Sequence, residues 1–519
     1  MQNRSGGCAV MFAALMLGHG TLVLAADRCA DLLKFAIPGG TIEKAQEVPA
    51  GPMAAPPGAP PMAGTLPAHC RIDGVIGAHT GRDGKAYGIR FAVAMPTQWN
   101  GRLVYQGGGG LNGSVQSPIG AVAAGDTPAL ARGFAVVTSD SGHEGAVFDG
   151  SFMADQQAAL DFLYQSIGKV MAAARPLIAA HYGNAAAHSY FVGCSTGGRE
   201  AMISAQRYPL EFDGIVAGAP AMRTGYSNLA LRWITASLNA AAPKDAQGRA
   251  LTSQALSPTD RKLVVDGLLK ACDALDGVRD GMIFNTKGCS FDPIALQCKG
   301  ERNDSCLSAI QVSAIQRAFA GPRTASGRQV YPGFAYDTGI GASGRGIPGL
   351  LSGGTAPEGG MPGGSAMDVD TEAANAHDGR EMMGDTNAWT NLSSFTAHGG
   401  KLIFFHGMSD PWFSALETVR YYTSLSADPS AGPGPVTDWS RLFLVPGMSH
   451  CGGGEATLDH FDMLSAIVAW VEQGQAPAQV TATGAAFPGR SRPLCPYPQH
   501  AQYSGEGDTE SAKNFSCRE

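Results

Sequence analysis

The chain has 519 residues, a formal net charge of −7, a charged fraction of only 16%, 70 glycines and 32 prolines. This length allows one large domain with an insertion, or two to three units. The absence of any Lys/Arg run argues against nucleic acid as a partner, and the glycine and proline content points to many loops rather than a helical bundle.

The N-terminus reads as an export signal over residues 1–25. Arg4 supplies the positive start, residues 9–17 the apolar stretch, and Val23, Leu24 and Ala25 a small-residue cleavage site near Ala25 or Ala26. Gly18, His19 and Gly20 interrupt the apolar run, leaving it shorter than the roughly 20 residues that cross a bilayer. Of the eleven cysteines, Cys8 falls in this signal. The even remainder is Cys29, Cys70, Cys194, Cys272, Cys289, Cys298, Cys306, Cys451, Cys495 and Cys517. An even set in an exported chain implies disulfides formed in an oxidising compartment, so the protein is expected to be secreted or periplasmic. None of the spacings suits a structural zinc.

Residues 49–67, rich in Pro, Ala and Gly, read as an extended surface segment. From Cys70 onward, strand-like and helix-like segments alternate, the pattern of a mostly parallel sheet covered by helices. Strands are expected over residues 102–105, running into Gly107 to Gly110, and over 134–138. A long amphipathic helix follows over 158–182, stopped by Gly183. A strand over 190–192 leads into Gly193-Cys194-Ser195-Thr196-Gly197, with helix over 199–207 and a further strand over 214–217. Between about 222 and 397 strand signal fades, and residues 339–364 are glycine-rich and read as mobile or irregular. Alternation resumes with strands over 401–405 and 441–445 and a helix over 458–472. The expected architecture is an α/β-hydrolase fold. Residues 26–221 and 398–519 form its catalytic domain, and 222–397 an inserted lid domain.

The Gly193 to Gly197 run fits G-x-S-x-G in the strand-to-helix context that the motif needs, which makes Ser195 the candidate nucleophile. A serine hydroxyl needs a base within reach. His450, in a loop after a late strand, stands where this fold puts it, and Asp410, at the end of the preceding strand, is placed to hold the imidazole tautomer. His406 could orient the Asp410 loop. His143, His181, His188 and His398 read as surface or packing residues. The developing oxyanion needs donors, for which Thr196 N–H and an amide of the Gly107 to Gly110 loop, Gly110 in particular, are candidates. A phosphate cradle is disfavoured because no Lys-Ser/Thr follows that loop.

Cys194-Ser195, Asp410 and His450-Cys451 together resemble the paired CS, D and HC signature of the tannase and feruloyl esterase family. The likeness runs from about Cys29 to Cys517 and is closest in the two hydrolase blocks. It implies a serine carboxylesterase acting on small aromatic, phenolic esters through an acyl-enzyme, and a Cys194–Cys451 disulfide. Neighbours of a contacting Ser–His pair can come within disulfide range, a Cα separation of about 4.4–6.8 Å. The other implied pairs are Cys29–Cys70, Cys272–Cys289, Cys298–Cys306 and Cys495–Cys517; sequence alone does not choose among the connectivities. The run from Cys272 to Met282 carries three carboxylates among glycines, a composition suited to Ca²⁺ or simply to a solvated acidic turn. The resemblance implies a structural Ca²⁺ held by Asp273, Asp276 and Asp280 and the carbonyls of Val278 and Met282, and it puts Phe413 in an acyl pocket. No organic cofactor is expected.

The family also includes hydrolysis of mono-hydroxyethyl terephthalate. Here the part after Tyr336 is short and glycine-rich, without a clear counterpart of the arginine-bearing segment that recognises the terephthalate carboxylate, which favours neutral phenolic esters such as ferulates or gallates. A peptidase or acyltransferase using the same triad, and a non-catalytic binding protein on a hydrolase scaffold, are the competing readings. Sequence leaves the oligomeric state open.

Overall fold

The computed structural model describes residues 29–53, 64–353 and 367–519. The export signal, residues 54–63 of the Pro-rich stretch and residues 354–364 of the glycine-rich one lie outside the described residues. No helix among those described is long and apolar enough to cross a membrane.

Nine strands form one sheet: β1 (Gly40–Val48), β2 (His69–Thr80), β3 (Ala86–Pro96), β4 (Arg102–Gln106), β5 (Ala135–Ser139), β6 (His188–Cys194), β7 (Gly214–Gly218), β8 (Lys401–Gly407) and β9 (Ser440–Val445). Their spatial order is β1-β2-β3-β5-β4-β6-β7-β8-β9. Pairings from β5 through β9 are parallel, whereas β1 with β2, β2 with β3 and β3 with β5 are antiparallel. The exchange of β4 and β5 in this order, with helices on both faces, is the arrangement of an α/β-hydrolase. The parallel strands are short apolar runs because both their faces are covered. The antiparallel edge went unread in the sequence, although β2 alternates buried and part-exposed positions as a strand with one wet face should.

The longer helices are α1 (Ser166–Tyr182), α2 (Thr196–Arg207), α3 (Thr224–Asn239), α4 (Pro258–Cys272), α5 (Ala309–Ala320), α6 (Val369–Asp378), α7 (Ala415–Ala427) and α8 (Met463–Gln473). The helix expected from residue 158 is present, but a π-turn at Asp161–Gln165 separates its first turn from α1. It stops at Gly183, whose left-handed φ of 78° lets its N–H return to the Ala179 carbonyl. The last helix begins at Met463 rather than 458, because the Asp462 carboxylate accepts from Ser465 N–H and caps it there.

One face of the sheet buries Phe91, Val93, Tyr105, Val137, Phe191, Ile215 and Phe404 with residues of α1 and α2. The other buries Val104, Val136, Tyr190, Val192, Ile403 and Phe443 with α8. Between β7 and β8 the chain leaves the sheet. α3, α4 and α5 there pack around Leu231, Ile234, Val264, Val312, Ile315 and Phe319, a core separate from the sheet's. Capping boxes, Ser257 with Asp260 and Ser308 with Gln311, start α4 and α5. Arg223 anchors the beginning of this insertion to Glu417 on α7 at 2.6 Å.

α8 is tied to the sheet by Glu472, which accepts two parallel bonds from Arg102 of β4 (2.6 and 2.5 Å) and one from the Tyr190 hydroxyl of β6 (2.6 Å). The Arg102 bonds hold the Glu472 carboxyl below its usual value against the opposing effect of burial. Glu472→Gln is expected to cost about 1–2 kcal/mol in denaturant unfolding near neutral pH, less than a fully buried pair because Arg102 stays partly exposed. A depressed pKa contributes stability that is full above the unfolded carboxyl value of about 4.3 and is lost as pH falls through the lower folded value. The gap between wild type and variant should therefore narrow below about pH 4.

Candidate active site

Ser195 sits between the end of β6 and the first residue of α2, with φ 66° and ψ −122°. An L residue held there stores roughly 1–3 kcal/mol of strain, and the neighbourhood fixes it. Ser195 N–H donates to Gly218 O at 3.0 Å, and its own carbonyl accepts from Arg199 N–H (3.0 Å) and Ala221 N–H (3.1 Å). The glycines of the motif are needed for close approach. A Cβ on Gly193 would collide with the Gly197 carbonyl, and one on Gly197 would stand 2.7 Å from Gly108 O. The side chain of Ser195 is left partly exposed at the sheet's C-terminal end.

Asp410 and His450 leave the ends of β8 and β9, neighbouring parallel strands. His450 Nδ1–H donates to Asp410 Oδ2 at 2.7 Å, and both residues are buried. Asp410 Oδ1 accepts from Trp412 N–H (2.8 Å) and Phe413 N–H (3.1 Å), which fixes the carboxylate plane. Burial works to raise the Asp410 carboxyl, but His450 and His406 outweigh it and hold it well below the usual range. His406 is fully buried. Its Nε2–H donates to Phe413 O (2.9 Å) with Asp410 Oδ2 3.3 Å away, and its Nδ1 meets the Thr418 hydroxyl at 2.8 Å. His143 is buried and stacked on Phe152.

The structure joins Cys194 to Cys451 with a Cα separation of 6.0 Å, across 257 positions of sequence. This bridge brings the residue before Ser195 beside the residue after His450. Among the described residues Ser195 Oγ makes no hydrogen bond to His450, whose Nε2 lies 3.6 Å from Cys451 Sγ. Catalytic hydrogen bonds are often long in a free enzyme and tighten once substrate is bound. The other four disulfides, Cys29–Cys70, Cys272–Cys289, Cys298–Cys306 and Cys495–Cys517, pair as the resemblance implies. Five disulfides point to folding in an oxidising compartment.

The Gly107 to Gly110 loop lies directly against the start of α2. Gly197 N–H donates to Gly108 O at 3.0 Å, and the Thr196 hydroxyl bonds the Gly110 carbonyl. Neither Gly110 N–H nor Thr196 N–H has an acceptor among the described residues. Glu200, one turn along α2, is buried and was not singled out from sequence. Its Oε2 accepts from Gly108 N–H (2.9 Å), and its Oε1 accepts from the Asn112 amide (2.9 Å) and the Ser141 hydroxyl (2.8 Å). No local signal set it apart, since α2 also carries Arg199, Gln206 and Arg207.

Phe413 is half-buried, its ring 5.3 Å from the His450 imidazole. Sequence reasoning missed two further aromatics. Trp412 lies 4.8 Å from the same imidazole, and Phe148, 61% exposed, meets Trp412 edge-on at 5.9 Å. Trp412 was legible as the neighbour of Phe413; Phe148, on an unpatterned loop, carried no signal.

At the acidic loop, Asp273 and Asp276 are buried, and Asp280 is half-buried with its side chain turned inward. Backbone amides of Asp280 and Gly281 bond Asp273, and those of Val278 and Phe284 bond Asp276. Burial first, then the nearby Asp280 and Asp273 charges, push the Asp276 carboxyl up to about 7, and burial raises Asp273 as well. Three carboxylates crowded out of water suit a divalent cation. Two features work against a finished cage: Asp280 also pairs with Arg492 and faces Arg490, and as a set of three the oxygens do not come within 4.8 Å of one another.

The family model described as tannase and feruloyl esterase matches residues 70–347 and 365–518. The chain is 41% identical to mono(2-hydroxyethyl) terephthalate hydrolase of Piscinibacter sakaiensis, over 88% of this chain and 85% of that one. It is 30% identical to a probable feruloyl esterase B-2 of Aspergillus flavus, over 75% of this chain and 76% of that one. In three dimensions it is similar to the crystal structure of feruloyl esterase B from Aspergillus oryzae, with a TM-score of 0.77 and 25% identity over 95% of this chain and all of that one. With the sheet order and the linked nucleophile and base loops already described, these likenesses set aside the binding-protein reading: the chain belongs to the tannase and feruloyl esterase family and is a carboxylic ester hydrolase.

Proposed function

We propose that the chain hydrolyses small esters of aromatic, phenolic acids through an acyl-enzyme on Ser195, with His450 as general base and Asp410 as its orienting carboxylate. The observation that carries this is the buried 2.7 Å Asp410–His450 bond on a loop bridged by Cys451 to the residue before Ser195. His450 takes the Ser195 proton as the hydroxyl attacks the ester carbonyl, and Asp410 stabilises the imidazolium that forms. The Gly110 and Thr196 amides, free of internal acceptors, receive the oxyanion. The alcohol leaves with the proton from His450, and water releases the acid by the same steps. Phe413, Trp412 and Phe148 supply aromatic surface beside the base, which suits an aromatic substrate group.

A carboxylate-bearing substrate such as mono-hydroxyethyl terephthalate is the second reading. It is favoured by the 41% identity to the terephthalate monoester hydrolase and by Arg345, whose half-exposed side chain lies over Gly452 and Gly453, just past His450. Export by a cleaved signal accords with the five disulfides. A structural Ca²⁺, held by Asp273, Asp276 and Asp280 with the carbonyls of Val278 and Met282, would neutralise the crowded carboxylates and tie together the insertion, acting as a lid. It takes no part in the chemistry.

On p-nitrophenyl butyrate, Ser195→Ala should abolish turnover, and Asp410→Asn should lower kcat by about 10³–10⁴-fold. Side-by-side kcat/KM on methyl ferulate, methyl gallate and mono-hydroxyethyl terephthalate decides between the two readings. Preference for the neutral phenolic esters supports the first, and preference for the terephthalate monoester the second. Chelation with EDTA at pH 7.5 should lower the thermal midpoint by several degrees, with recovery on adding Ca²⁺ and not Mg²⁺, read by calorimetry. An unchanged midpoint would dismiss the ion.

A further inference from the structure

Asp337 belongs to the inserted segment, 73 positions before Asp410, yet it is fully buried between the two loops that carry Asp410 and His450. Its Oδ2 accepts from the Ser409 hydroxyl at 2.6 Å and from Gly447 N–H at 2.7 Å. Ser409 immediately precedes Asp410, and Gly447 stands three residues before His450. The contact is reinforced on both sides. Gly339 N–H donates to Ser409 Oγ at 2.9 Å, and the Thr338 hydroxyl reaches Ala456 O at 3.3 Å. A Cβ on Gly339 would stand 2.5 Å from Gly447 O and 2.8 Å from Ser409 Cβ, so the strap lies flush against both loops.

We propose that Asp337 is a positioning residue for the acid–base pair, a strut from the insertion that sets the register of the Asp410 loop against the His450 loop through Ser409 and Gly447. Apart from the Asp410–His450 bond that is to be positioned, the loops are also joined by backbone bonds, Met408 N–H to Val445 O and Ser409 N–H to Met448 O, both 3.0 Å. Those bonds fix the strand ends, and without Asp337 the Ser409 side chain keeps only its bond from Gly339 N–H among the described residues. An apolar side chain would fill the same space without the desolvation cost of a buried carboxylate. Among the described residues Asp337 Oδ1 has no hydrogen-bond partner, so packing of the insertion alone does not account for an acid here. The two bonds to Oδ2 do. They also make the insertion part of the catalytic alignment, so that a substrate that shifts the insertion also shifts the pair.

This inference rests on the proposed roles of Ser195, Asp410 and His450, and the test separates the two. The full chain is assayed on p-nitrophenyl butyrate as wild type, Asp337→Ala, Asp337→Asn, Ser409→Ala and Ser195→Ala, with thermal midpoints recorded. Asp337→Ala should lower kcat by about 10–100-fold with KM within about threefold, the scale of an ångström-sized misplacement of catalytic groups. Asp337→Asn, whose amide oxygen can still accept both bonds, should restore kcat to within about fivefold of wild type. Ser409→Ala removes the bond to Asp337 together with the one from Gly339 N–H, leaves every residue of the insertion unchanged, and should lower kcat by about tenfold, which keeps the idea testable if Asp337→Ala does not fold. The proposal is overturned if Ser409→Ala keeps wild-type kcat, or if Asp337→Asn is as impaired as Asp337→Ala. A loss confined to KM would overturn it as well. Turnover surviving Ser195→Ala would instead overturn the site reading beneath it.

Discussion

The contact on which the site depends is the approach of two loops that are 257 positions apart in sequence, held by the Cys194–Cys451 bond. A bridge closing a loop of that length removes on the order of 5 kcal/mol of chain entropy from the unfolded state in the loop-closure model. Its more particular effect is local. It acts on the residue before Ser195 and the residue after His450, so it restrains the distance on which the proposed proton transfer depends rather than the fold at large. The sheet brings β6 and β9 to the same end, but two strands, β7 and β8, lie between them. Strand pairing alone therefore cannot set the separation of a hydroxyl and an imidazole carried on loops beyond those ends.

Around this bridge the site is assembled from backbone meeting backbone. Gly193, Gly197 and the Gly107 to Gly110 loop approach at distances that exclude a Cβ, and they carry the strained Ser195 and the two free amides. Such close packing leaves no room for side chains to adjust alignment, so the adjustment falls to buried carboxylates accepting backbone amides. Glu200 holds the glycine loop, Asp410 holds its own turn while orienting His450, and Asp337 spans the acid and base loops. Each exchanges a desolvation cost for a fixed geometry, the trade expected of a preorganised site.

Legibility in the sequence followed the reach of the signal. The Gly193 to Gly197 motif, the short apolar strands on either side of it, and an Asp and a His each just past a late strand are local patterns, and they gave the parallel sheet and the candidate triad in chain order. The antiparallel edge was overlooked because β1 and β2 flank a Pro/Ala/Gly-rich stretch that reads as loop. The disulfide partners came from resemblance, since ten cysteines permit many connectivities and only folded proximity selects one. Glu200, Phe148 and Asp337 escaped notice for a related reason. Each acts through a contact with a distant segment, and nothing near it in sequence distinguishes a buried acid from a capping one or a rim aromatic from a core one.

Specificity follows from the same division of labour. The groups proposed to move protons and charge are held by strand ends, glycines and a disulfide, all of them parts of the fold itself. What lies free to differ is the rim: Phe148 on its exposed loop, Trp412 and Phe413 beside the imidazole, and Arg345 reaching from the insertion over Gly452. An aromatic acyl group meets the first three by stacking or edge contact, whatever its substituents. Of these four, Arg345 alone carries a charge that a second carboxylate on a substrate would meet, and it is already partly engaged, 3.7 Å from Asp459. On the proposed reading, selection between the two substrate classes therefore turns on whether Arg345 leaves Asp459 for the substrate, a choice made on the insertion and separable from the loops beneath it.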